Sequence, residues 1–63
     1  MVDFSGRILC RVDFVDANLD DANFAGATLI DVEFEGASLV RTDFTGARFV
    51  DCHFGNNKTE ENT

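Results

Sequence analysis

Every fifth residue from Phe4 to Phe54 is Phe or Leu, without exception: Phe4, Leu9, Phe14, Leu19, Phe24, Leu29, Phe34, Leu39, Phe44, Phe49 and Phe54. Two residues before each runs a second, mostly small series: Val2, Arg7, Val12, Ala17, Ala22, Ala27, Val32, Ala37, Thr42, Ala47 and Cys52. A fixed internal period names an architecture more directly than composition does. An amphipathic helix needs apolar residues at i, i+3, i+4 and i+7, whereas this chain offers i, i+3, i+5 and i+8. Alternation with a period of two lasts three residues, as in Val12-Asp13-Phe14, and then slips. The pattern predicts very short extended pieces, each followed by a corner. Gly6, Asp16, Asp21, Gly26, Asp31, Gly36, Gly46 and Asp51 all fall two residues after a central Phe or Leu. Gly and Asp tolerate such turns.

The units Ala17-Asn18-Leu19-Asp20-Asp21 and Ala22-Asn23-Phe24-Ala25-Gly26 follow the pattern A(D/N)(L/F)xx. In this the chain resembles the pentapeptide-repeat family, over eleven consecutive units from residue 2 to residue 56. The resemblance implies an all-β fold, a right-handed quadrilateral β-helix (a β-solenoid) with one unit per side and four units per coil, hence about 2.75 coils. It also implies that the central Phe or Leu and the residue two before it point inward. Residues twenty apart would then stack in four core ladders: Phe4, Phe24 and Phe44; Leu9, Leu29 and Phe49; Phe14, Phe34 and Phe54; Leu19 and Leu39. At the usual strand spacing such a column is only ~13 Å tall. Residues 57–63 lie beyond the repeats, are polar, and are expected to form a disordered tail.

A chain of 63 residues buries little surface, and small folds of this kind usually lean on a disulfide, a metal or a second subunit. Cys10 is expected to face outward and Cys52 inward, which predicts no bridge between them. His53 would stack on Glu33 and Asp13 as part of a solvated ladder rather than as a metal ligand. Arg7 departs from the small inward series, so either the first coil frays there or its side chain reaches past the open end. No set of residues carries catalytic, cofactor-binding or metal-binding chemistry, and side chains fill the interior. The sequence predicts a protein that is not an enzyme.

Self-association is then the expected supplement, as a homodimer or end-to-end oligomer. The candidate interfaces are the aromatic end Phe44, Phe49 and Phe54 and an outward stripe of Cys10, Ile30 and Val50 with Ile8 beside it, since exposed apolar patches mark contact sites. An unidentified protein partner is a further expectation. The net charge of −7 argues against direct nucleic-acid contact and against anionic membranes. No apolar run approaches a membrane span and no signal peptide is visible, which makes a cytoplasmic setting the expectation. Acids fall in columns, Asp3, Asn23 and Asp43 on one wall and Asp13 and Glu33 on another, with Glu35 nearby. In longer members of the family it resembles, such columns imitate the phosphates of duplex DNA and block type II topoisomerases, so the alternative function is an acidic DNA mimic. The bland counterpart is a solvated face with Arg41–Asp21 and Arg11–Asp31 as weak pairs. A third reading takes the chain as a repeat module whose flanks carry the function.

Overall fold

The computed structural model of the protein describes residues 2–59. Three strands, β1 (Ile8–Cys10), β2 (Thr28–Ile30) and β3 (Arg48–Val50), form a parallel sheet in the order β1-β2-β3. Leu9 pairs with Leu29 and Leu29 with Phe49, a register of twenty residues. Three further ladders of single bridges keep the same register: Asp3↔Asn23↔Asp43, Asp13↔Glu33↔His53 and Asn18↔Ser38↔Lys58. Parallel pairing at a constant offset, one coil upon the next, is a β-helix. The β ladder alone is long enough to count as strand, and its outward positions are rich in β-branched residues (Ile8, Thr28, Ile30, Val50), which suit a pleated surface.

Each extended piece ends at a left-handed corner. Gly6, Gly26, Gly36 and Gly46 have φ between 69° and 74°, and Arg11, Asp16, Asp21, Asp31, Arg41, Asp51 and Asn56 lie between 52° and 63°. Eight of these eleven corners were legible from Gly and Asp. Arg11, Arg41 and Asn56 were not, and for the arginines coil closure overrides local preference. At Gly36 the missing side chain matters twice, because a Cβ there would also run into the Asp16 carboxylate one coil below.

The core is concentrated in the middle coil. Leu19, Ala22, Phe24, Ala27, Leu29, Val32, Phe34, Ala37 and Leu39 are buried, while Phe4, Leu9, Phe14 and Phe44 are half-buried. Phenylalanine rings stack up two ladders with centroid spacings of 5.1 Å (Phe4–Phe24, Phe24–Phe44), 5.5 Å (Phe14–Phe34) and 4.8 Å (Phe34–Phe54). These spacings follow the ~4.8 Å separation of paired strands. The two ladders also meet edge-on across the interior, as in Phe24–Phe34 at 6.1 Å and 78°. Edge-to-face contact is the favourable geometry for two quadrupoles that cannot stack.

One expectation is corrected near the carboxy-terminal end, and the choice left open at Arg7 is resolved. Lys58 continues the fourth ladder: the Leu39 amide donates to its carbonyl at 2.7 Å, and its own amide donates to Ala37 at 3.3 Å. Residue 58 therefore does not belong to the disordered tail expected from residue 57, because backbone groups on the coil below pair with it; residues 60–63, the rest of that expected tail, lie outside the described residues. At the other end Arg7 is not frayed. Its amide donates to the Phe4 carbonyl at 3.1 Å and its carbonyl accepts from Thr28 at 2.8 Å, while its side chain is exposed.

Candidate interaction surfaces

The carboxy-terminal end presents a row of three aromatics. Phe44 is half-buried, but Phe49 and Phe54 are 42% and 47% exposed. They touch in sequence, Phe44–Phe49 at 5.3 Å and Phe49–Phe54 at 5.7 Å, both edge-on. The residues one coil below, Leu29 and Phe34, are fully buried. Exposure here arises because no coil covers these rings among the described residues, not from a change in side-chain direction.

This end is also closed by polar side chains that sequence reasoning did not single out. Thr42 Oγ1 donates to the Leu19 carbonyl at 2.9 Å, Cys52 Sγ to the Leu29 carbonyl at 3.3 Å, and Asn57 Nδ2 to the Phe34 carbonyl at 2.6 Å. All three donors lie twenty-three residues above their acceptors. Asn57 Nδ2 also reaches the Ala37 carbonyl at 2.9 Å, and Asn57 Oδ1 accepts from the Gly55 amide at 2.9 Å. The signal was a change from Ala or Val to Thr and Cys in the small inward series, with Asn57 five residues beyond its last member. Cys52, expected to face inward, is half-buried and donates to a carbonyl, with no coil above it among the described residues. Cys10 is exposed.

The outward stripe is in register but narrow. Cys10, Ile30 and Val50 stack through the sheet, with Ile30 half-buried and Val50 47% exposed. Ile8 is 74% exposed, yet its own column continues as Thr28 and Arg48, so the apolar surface does not widen there.

The acidic columns have a structural task. Asp3, Asp13, Asn18, Asn23 and Asp43 each turn Oδ1 toward the amide two residues on, at 2.8–3.0 Å. Local bonds of this kind brace a turn. Asp21 is held by a guanidinium fork, with Arg41 Nε donating to Oδ1 at 2.7 Å and Nη2 to Oδ2 at 3.2 Å. Arg11 and Asp31, expected as a second pair, do not come within ion-pair range among the described residues; there the arginine lies in the lower coil, whereas in the observed pair it lies in the upper one. His53 stacks on Glu33 and Glu33 on Asp13, and no group of three metal-ligating residues converges among the described residues. No pocket opens among them either.

The Ser5 hydroxyl and amide hold Asp3 below the ordinary carboxylate range, the Arg41 fork does the same for Asp21, and the Thr45 hydroxyl and amide for Asp43. A carboxylate whose folded value is depressed stabilises the fold above its unfolded value, here 3.8, and loses that contribution as pH falls through the folded value. Thermal melts followed by circular dichroism are expected to hold their midpoint from neutral pH to about pH 5 and to fall below about pH 4. Asp43→Asn keeps an acceptor for the Thr45 amide and is expected to make that fall shallower; an unchanged slope would show that Asp43 is not among the groups responsible.

With this geometry in place, comparison with known proteins adds the family. The family model described as pentapeptide repeats matches eight copies, over residues 2–36 and 17–56. The chain belongs to the pentapeptide-repeat family. A search of curated proteins returned no match. Among the described residues, no helix is long and apolar enough to cross a membrane.

Proposed function

We propose that the chain is a right-handed, four-sided β-helix of about 2.75 coils that works as a non-enzymatic structural and protein-interaction module, associating with itself through a coil end. The observation that carries this reading is the exposure of Phe49 and Phe54 directly above the fully buried Leu29 and Phe34. A coil laid on that end would remove apolar surface from water at roughly 25 cal/mol per Å². It would also pair backbone groups that an open solenoid end leaves to solvent. A cytoplasmic setting belongs to the same reading and fits thiols carried on different ladders.

Light scattering coupled to size exclusion tests it. Wild-type mass is expected to rise with concentration, and Phe49→Glu is expected to yield folded monomer. A wild-type monomer throughout would end the proposal; an undiminished oligomer in the variant would move the interface away from this end.

The DNA-mimic alternative draws on the net charge of −7, but less else supports it. Asn23 interrupts one acidic ladder, His53 ends another, and the longest Cα extent is 24 Å. A supercoiling assay without inhibition at tens of micromolar protein would dispose of it.

A further inference from the structure

The geometry points to head-to-tail stacking, in which the amino-terminal coil of a second copy of this chain continues the carboxy-terminal coil of the first in unbroken register. This inference rests on the self-association reading above and specifies which two surfaces meet. Every ladder of the chain keeps a twenty-residue register. A second copy set three such repeats further along, at an offset of sixty, keeps that register. Each residue of its first coil then lies over the residue forty higher in number on the copy below.

The side chains brought together match those already stacked inside one chain. Phe4 of the upper copy falls on Phe44, Leu9 on Phe49 and Phe14 on Phe54, extending ladders whose rings already stack at 4.8–5.5 Å. Phe49 and Phe54 become buried, and so do the half-exposed Phe4, Leu9 and Phe14. Corner charges complement each other. Arg11 of the upper copy lies over Asp51 of the lower, repeating the fork of Arg41 over Asp21, and all four residues share the left-handed corner conformation. Asp13 comes to lie over His53. One pair is unfavourable, Asp3 over Asp43, but Glu33 over Asp13 shows that this architecture tolerates stacked acids.

The backbone edges match as well. Within the chain Phe4 N–H donates to the Asn23 carbonyl and Phe24 N–H to Asp43, while the Asn23 amide donates down to Val2 and the Asp43 amide to Ala22. One coil further up, the Phe44 amide meets the Asp3 carbonyl of the next copy, and the Thr42 carbonyl meets its Asp3 amide. A two-fold contact between carboxy-terminal ends would instead leave every amino-terminal coil uncovered. Head-to-tail contacts are heterologous, so association does not close at two.

Sedimentation of single-end variants tests the inference. Leu9→Glu spoils the lower end and Phe49→Glu the upper, each placing a carboxylate where it would be buried. Each is expected to weaken self-association more than about tenfold, whereas an equimolar mixture forms a closed one-to-one dimer through the two intact ends. Arg11→Asp and Asp51→Arg, both at exposed corners, supply a second pair should Leu9→Glu fail to fold. Each alone is expected to weaken association about fivefold and mixing to restore it, as surface ion pairs of this size would. A wild-type dimer untouched by Leu9→Glu or Arg11→Asp overturns head-to-tail stacking and leaves self-association standing. A wild-type monomer at every concentration overturns both.

Discussion

Phe24→Ala and Phe34→Ala are each expected to leave the protein largely unfolded at 25 °C. Both rings are fully buried. Phe24 stacks on Phe4 and Phe44 at 5.1 Å and meets Phe14 and Phe34 edge-on at 6.1 Å, so it contacts four other rings. Truncating a buried Phe costs about 3–5 kcal/mol in transfer and cavity terms. A chain of this length has roughly 3–9 kcal/mol of total stability at the usual 0.05–0.15 per residue. The loss is comparable to the whole. Collapse around the cavity is restricted, because the backbone of each coil is pinned above and below by ladder bonds. Phe24→Leu keeps most of the volume and is expected to cost less than about 2 kcal/mol. Phe49→Ala, at a coil end, is expected to cost less than either core change. Urea unfolding of the four variants checks the order; equal losses for Phe24→Ala and Phe49→Ala would mean that burial does not grade along the column.

That gradient marks where the sequence stopped being informative. The period of five carries the corners at Gly and Asp and the two inward series, and the family resemblance adds the twenty-residue register and hence each ladder, because a coil that repeats must repeat its packing. It carries nothing about rank within a ladder. Phe34 and Phe54 are the same residue in the same column, yet one is fully buried and the other 47% exposed. The difference lies in how many coils flank them. Departures from the repeat were harder still to read. Thr42 and Cys52 look like noise in a small series, and Asn57 like the start of a tail, until the carbonyls they donate to are seen. Arg11 and Arg41 look like poor corner residues, yet both sit at left-handed φ because the neighbouring coils fix the path. The Asp and Asn residues before each central position read as surface charge, whereas five of them brace the turn that follows.

Removing residues 57–63 is expected to destabilise the protein far more than removing residues 60–63. A disordered tail beginning at Asn57 would make the two truncations equivalent, and its polar composition suggests as much. The hydrogen bonds argue otherwise. The longer truncation deletes the Asn57 side chain, which donates to Phe34 and Ala37 and accepts from Gly55. It also deletes the Lys58 carbonyl, which accepts from Leu39 at 2.7 Å. Leu39 is 4% exposed with that partner in place, and each hydrogen bond lost at this edge contributes about 0.5–1.5 kcal/mol. The Phe34 carbonyl keeps the Ala37 amide, whereas the Ala37 carbonyl loses both the Lys58 amide and the Asn57 side chain. A combined loss of about 2–4 kcal/mol follows, and it falls on the wall that otherwise has the shortest ladder. Asn57→Ala in the full chain isolates the side-chain part and is expected to account for about 1–2 kcal/mol. Equal urea midpoints for the two truncations would show that residue 57 lies outside the cooperative fold. A larger loss in the longer truncation makes Asn57 and Lys58 the closing pieces of the last coil, a polar cap built without a helix.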